Sequence, residues 1–179
     1  MRKLLNEELN RMDVGGFKKA PKTPFVLVLD NIRSLNNIGS AFRTADAFRI
    51  EAVYLCGITA SPPHREIQKT ALGATESVVW KYFENTKDAI QELRELDYRI
   101  LAIEQADQSI SLVDYTMAKR QKSALVFGNE VKGVQDEIVQ NVDEVLEIPQ
   151  FGTKHSLNIS VSVGIVLWDL WLKHSRLDK

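Results

Sequence analysis

No apolar run in this chain is long enough to span a membrane, and its start, MRKLLNEELN, lacks the pattern of a signal peptide. The expectation is therefore a cytoplasmic protein with no membrane partner. There is a single cysteine, Cys56, which excludes an internal disulfide. It sits in the apolar run AVYLCG, where a buried strand thiol is favoured over a nucleophile. The three histidines, His64, His155 and His174, are far apart and lack metal-ligand spacing with one another or with Cys56, so no metal is expected. No G-x-G-x-x-G follows an apolar run, which disfavours a dinucleotide site. The spacing of Gly128 and Gly133 matches a P-loop, but Val134 and Gln135 stand where Lys and Ser/Thr are required. No G-x-S-x-G elbow exists, which removes a serine-hydrolase reading.

What remains is an ordinary globular composition with an uneven charge distribution. The 179 residues suffice for one domain with a full core, 44% of them are hydrophobic, and the net charge is -1. The first 22 residues carry Arg2, Lys3, Arg11, Lys18, Lys19 and Lys22 against Glu7, Glu8 and Asp13, and the other end adds Lys173, Arg176 and Lys179 against Asp178. Residues 84–114 hold eight acids against three bases. Basic ends beside an acidic flank fit local binding of a polyanion, or else solvated termini and a solvated helix face.

The pattern along the chain alternates strands and helices. A short helix is expected over residues 4–12, then a Gly/Pro/Lys linker over 14–24. The continuous apolar run PFVLVLD reads as a strand buried on both faces. Further strands are expected at AVYLCG, SVVWKYF, YRILAIE, SALVFG and EVLEIP, six in all. Helices are expected over residues 37–48, 86–96, 135–141 and 157–174, with a short one before Gly73 as its C-terminal cap. Such alternation implies an α/β fold, a mainly parallel sheet flanked by helices. The last helix is apolar nearly all round, from Ile159 to Leu172, so it must be covered on more than one side. A homodimer interface accounts for that economically; deep burial within one chain is the alternative.

Three polar segments each follow a strand: NNIGSAFRTADAF, LVFGNEVKGV and IPQFGTKHSLNISVSVG. Strand-to-helix junctions are where α/β proteins place ligands. In order and spacing the three resemble the signature motifs of the SpoU (TrmH-like) branch of the SPOUT RNA methyltransferases, over about residues 24 to 174. One departure is Gln150, where the family often has Met. The resemblance divides the chain into a basic N-terminal helix and linker, 1–23, and a SPOUT domain, 24–179. It implies a C-terminal trefoil knot, bound S-adenosylmethionine, a homodimer, and methyl transfer to a ribose 2′-hydroxyl of RNA. With only about 23 residues before the first strand, tRNA is expected over rRNA. A base-methylating SPOUT enzyme and a non-catalytic RNA-binding module are the alternatives.

The resemblance assigns catalysis to Arg43, Asn37, Glu130, Ser156 and Asn158. Arg43 would take or polarise the hydroxyl proton, or grip the adjacent phosphate; its bland alternative is a surface salt bridge with Asp46 or Asp30. Asn37 would hold the ribose or the arginine, or simply cap its helix. Glu130 would orient substrate or Asn158, or be a solvated loop acid. Ser156 and Asn158 would use the free N–H groups at the start of the last helix, or only cap it. Gly128, Ile148 and Leu157 match cofactor-binding positions, with Ile103 and Glu104 weaker matches and Gly133 permitting a tight loop. Arg33, Arg43, Arg65, Lys154 and His155 are the expected RNA contacts.

Overall fold

A computed structural model describes residues 1–177; Asp178 and Lys179, part of the basic C-terminal end, lie outside the described residues. Seven parallel strands form one sheet in the order β3-β2-β1-β6-β4-β7-β5. They are β1 (Thr23–Asp30), β2 (Ile50–Cys56), β3 (Val79–Phe83), β4 (Arg99–Ile103), β5 (Ile110–Ser111), β6 (Ser123–Phe127) and β7 (Glu144–Glu147). β1 lies inside the sheet, between β2 and β6, and its apolar run is divided by the pleat. Phe25, Leu27 and Leu29 face one core, while Val26 and Val28 face the other.

Helices cover both faces. The first core is roofed by α1 (Val14–Lys19), α2 (Leu35–Ala47), α3 (Arg65–Ala71), α4 (Ala74–Ser77) and α7 (Ile159–Leu177). The second is roofed by α5 (Thr86–Glu95) and α6 (Asp136–Val139). α7 lays Ile159, Val163, Val166, Leu167 and Leu170 into the first core and packs against α2. Val161, Ile165 and Trp168, spaced along its outer side, stay exposed at 49%, 38% and 52%. No helix among the described residues is long and apolar enough to cross a membrane.

Several elements depart from the sequence expectation. The helix expected over residues 4–12 is only a 3-10 turn, Asn6–Leu9. The expected linker contains α1 despite Gly15 and Gly16. The Asp13 carboxylate accepts the Gly16 N–H at 2.6 Å, Phe17 is buried, and the Lys22 ammonium donates to the carbonyls of Phe17 and Ala20. These caps and one buried ring outweigh the two glycines. Gly73 does not cap the helix before it: Leu72 takes the left-handed position (φ 49°) and Gly73 opens α4. β5 is a seventh strand, too short for any periodicity to reveal. α7 begins at Ile159, two residues later than expected.

Candidate functional site

Buried Asp30 ends the apolar run of β1, and a charge there needs partners. Its carboxylate accepts from the Thr86 hydroxyl at 2.5 Å, the Asn31 amide at 2.8 Å, and the Gln135 side chain and N–H at 2.7 and 3.2 Å. One aspartate thereby ties the end of β1 to the starts of α5 and α6. The Asn129 amide adds a bond to the Asn31 carbonyl at 2.7 Å, fixing the loop after β6 against the same strand end.

That loop, residues 128–134, closes through paired bonds between Asn129 and Gly133, 3.0 and 2.8 Å long. It needs glycine twice. A Cβ on Gly128 would lie 2.0 Å from the Val134 nitrogen, and Gly133 has φ 70° with a Glu104 oxygen 2.2 Å from where its Cβ would be. Glu104 braces the loop by accepting the N–H groups of Val134 and Gln105, each at 2.9 Å.

The carboxyl ends of β4, β6 and β7 and the approach to α7 enclose a cavity of about 870 Å³. Ile103, Glu104, Gly128, Gly133, Ile148 and Leu157, the six expected cofactor positions, all line it. So do Glu130, Ser156, Asn158 and His155. The Gln105 amide donates to the His155 carbonyl at 2.8 Å, holding the segment after β7 against the β4 end.

At the mouth, three residues distant in sequence meet. Glu130 accepts the N–H groups of Arg33 and Ser34 and the Asn37 amide, all at 3.0 Å. The Asn37 carbonyl accepts from the Asn158 amide at 3.2 Å. The Asn158 side-chain oxygen (Oδ1) accepts the N–H and hydroxyl of Ser160 at 2.8 and 2.7 Å, opening α7. Partial burial acts to raise the Glu130 carboxyl, but the bonds from Arg33, Asn37, its own N–H and Ser34 outweigh it and hold the group below its usual value. Glu130 is thus a tether between loops and not a freely solvated acid.

Other expected residues stand elsewhere. Asn37 is not the cap of α2: Ser34 is, accepting the Asn37 N–H at 3.3 Å. Ser156 lies on the exposed loop before α7, outside its first turn. Arg43 is exposed on α2 and does not line the cavity; neither salt bridge considered for it forms, since Asp30 is engaged as above and Asp46 accepts from Ser77. Arg33, Arg65 and Lys154 are exposed and also outside the lining, Arg33 touching the site through its backbone. Asp30, Gln105, Asn129 and Gln135 escaped sequence reading. For Asp30 the signal was a charge closing a buried run.

A family model described as the SpoU rRNA Methylase family matches residues 24–168. A 23S rRNA (guanosine-2′-O-)-methyltransferase RlmB of Neisseria meningitidis serogroup B is 33% identical over 144 residues, covering 80% of this chain and 56% of that protein. A tRNA (guanosine(18)-2′-O)-methyltransferase of Aquifex aeolicus is 32% identical over 152 residues, 80% of this chain and 67% of that one. An AdoMet-bound rRNA methyltransferase from Sinorhizobium meliloti has a similar crystal structure, with TM-score 0.77 and 28% identity over 83% of this chain and 56% of that one. The chain spans little more than half the length of the Neisseria relative. The family match runs from the first residues of β1 into the heart of α7 and takes in the three polar segments that meet at the cavity. This is more than a shared fold: the chain belongs to the SpoU rRNA methylase family.

Proposed function

We propose that the chain is an S-adenosylmethionine-dependent methyltransferase acting on a ribose 2′-hydroxyl of RNA. The observation that carries this reading is the run Glu130–Asn37–Asn158, hydrogen-bonded at the mouth of the cavity. The Neisseria and Aquifex relatives, named for 2′-O-methylation of guanosine in rRNA and tRNA, support it, as does the AdoMet-bound Sinorhizobium structure.

The cavity fits the cofactor. Ile103, Ile148 and Leu157 offer apolar walls, and the glycine-bounded loop 128–134 offers backbone groups able to read an adenine. When bound, S-adenosylmethionine supplies an electrophilic methyl group. Glu104 braces the loop that would hold it. Asn37, Ser156 and Asn158 orient the ribose hydroxyl, and alignment of this kind contributes up to roughly 7–11 kcal/mol in ideal cases. Glu130, stabilised as a carboxylate by its donors, is a poor base and serves to position Asn37. Arg43 grips the phosphate beside the target ribose and, remaining charged, polarises the hydroxyl, whose proton passes to solvent water as the oxygen is methylated. Arg33, Arg65, Lys154 and His155 contact RNA around it.

A knot and a dimer belong to the same proposal. β7 lies between β4 and β5, so residues 104–109 bridge over the carboxyl end of β7, where the chain departs toward α7. Threading through that bridge makes the trefoil knot. The exposed stripe Val161, Ile165 and Trp168 is covered by a second copy, and Ile165→Lys should give a monomer in sedimentation equilibrium.

The test is methyl transfer from labelled S-adenosylmethionine to total tRNA and to ribosomal RNA, followed by nucleoside analysis. A 2′-O-methylated nucleoside is expected, and the RNA that carries it names the substrate class. Methylation on a base, or no incorporation into either RNA, would overturn the reading.

A further inference from the structure

The strands begin at the end of the sheet opposite the cavity, and several of the residues leading into them are cationic. Lys22 precedes β1, Arg49 precedes β2, and Lys119, Arg120 and Lys122 precede β6. β1 pairs with β2 on one side and β6 on the other, so these lead-ins are neighbours. The lead-ins to β1 and β2 form, against the last turns of α7, a second cleft of about 310 Å³ lined by Lys22, Thr23, Arg49, Trp171, His174 and Ser175 among others; Lys119, Arg120 and Lys122 lie outside its lining.

Lys22 and Arg49 meet there. Among the described residues neither forms an ion pair. Asp46, three residues before Arg49, directs its carboxylate at the Ser77 hydroxyl. Burial raises the carboxyl of Glu51 on β2, with the Lys122 charge opposing. Burial first, then the Arg49 charge, weakens the hold of Lys22 on its proton. Like charges brought together in a cleft are relieved by an anionic ligand. The Arg49 backbone is fixed: its carbonyl accepts the Thr23 N–H at 2.8 Å and its N–H donates to the Asp46 backbone carbonyl at 3.0 Å.

We propose that this end of the sheet is a second RNA-contacting surface, on which the Lys22–Arg49 cleft seats a backbone phosphate and Arg120 extends the cationic track. The proposal rests on the RNA-directed reading above and adds a contact distant from the reacting ribose. β1 separates the two ends by roughly 23 Å, so only a substrate much larger than a nucleotide touches both. Cation–phosphate contacts position such a substrate without reading its sequence.

The experiment uses the full chain. Binding of total tRNA is measured across a range of salt concentrations for the wild type, Arg49→Gln and Arg120→Gln. Lys22 is left intact because it caps α1. Each variant should lower the slope of log K against log salt by about 1. Each should also raise KM for RNA several-fold, with kcat and cofactor affinity unchanged. Unaltered slope and KM in both variants would overturn the proposal. Inorganic phosphate, titrated against tryptophan fluorescence, separates the possible sources of the anion. Saturation that Arg49→Gln abolishes, with RNA slopes unmoved, would mark a small-anion site and likewise overturn the RNA contact. Absence of methyl transfer by the wild type would defeat the enzymatic reading alone, because the slope is read from binding.

Discussion

Replacing Gly128 by alanine tests how the cavity is built. The added Cβ would sit 2.0 Å from the Val134 nitrogen and 2.1 Å from the Gly133 carbonyl carbon. Comfortable carbon contacts lie near 3.5–4.0 Å, so one side must withdraw by more than an ångström. Both neighbours are backbone, and no rotamer change relieves them. Overpacking of this kind costs about 1–3 kcal/mol. Withdrawal also strains the Asn129–Gly133 bonds, which places the expected loss near the upper end. For a chain of this size about 2–3 kcal/mol lowers Tm by roughly 4–12 °C. The displaced loop would no longer shape the cavity, so cofactor affinity should fall at least tenfold, equivalent to about 1.4 kcal/mol. Differential scanning calorimetry and isothermal titration with S-adenosylmethionine read the two effects. Gly152→Ala is the control, because its Cβ would meet nothing within 4 Å. A Gly128→Ala protein with wild-type Tm and cofactor affinity would refute the reasoning.

Glu130→Gln keeps one acceptor oxygen and turns an amide toward an N–H donor. At this partly solvated site it should cost about 1–2 kcal/mol and, by loosening Asn37, lower kcat by roughly 10- to 100-fold. Because the Glu130 pKa is depressed, its tether stabilises the protein above the usual carboxylate value and is lost as pH falls through the lowered one. Urea unfolding across the acid range should therefore show a shallower pH dependence in the variant, and parallel curves would contradict this. Arg43→Ala should abolish turnover in the methyl-transfer assay while leaving cofactor affinity nearly unchanged, and a normal rate would remove Arg43 from the mechanism. Burial pushes the Cys56 thiol up to about 12, with the Thr86 hydrogen bond opposing and the Asp30 charge adding. Iodoacetamide should then label Cys56 only after unfolding, and stoichiometric labelling of native protein within minutes, read by mass spectrometry, would exclude that environment.

The elements that local pattern dictates were legible in the sequence. An apolar run such as 24–30 has few solutions other than a strand buried on both faces. α7 is so apolar that coverage on more than one side was expected from composition; the single chain covers one side and leaves Val161, Ile165 and Trp168 exposed. The three polar segments stood out because polar groups interrupting apolar elements need a reason, and all six expected cofactor positions line one cavity. Elements sustained by distant contacts were not legible. α1 contains two glycines and exists through Asp13, Phe17 and Lys22; β5 has two residues and exists because β7 pairs with it. The bonds from Glu130 to Asn37 and from Asn37 to Asn158 join positions 93 and 121 residues apart, and no spacing rule reaches so far. The buried partners of Asp30 and the placement of Arg43 outside the cavity were likewise decided by tertiary structure. Local propensity and periodicity act over a few residues, whereas a site is made where chain topology brings strand ends together, and only the folded chain specifies which ends meet.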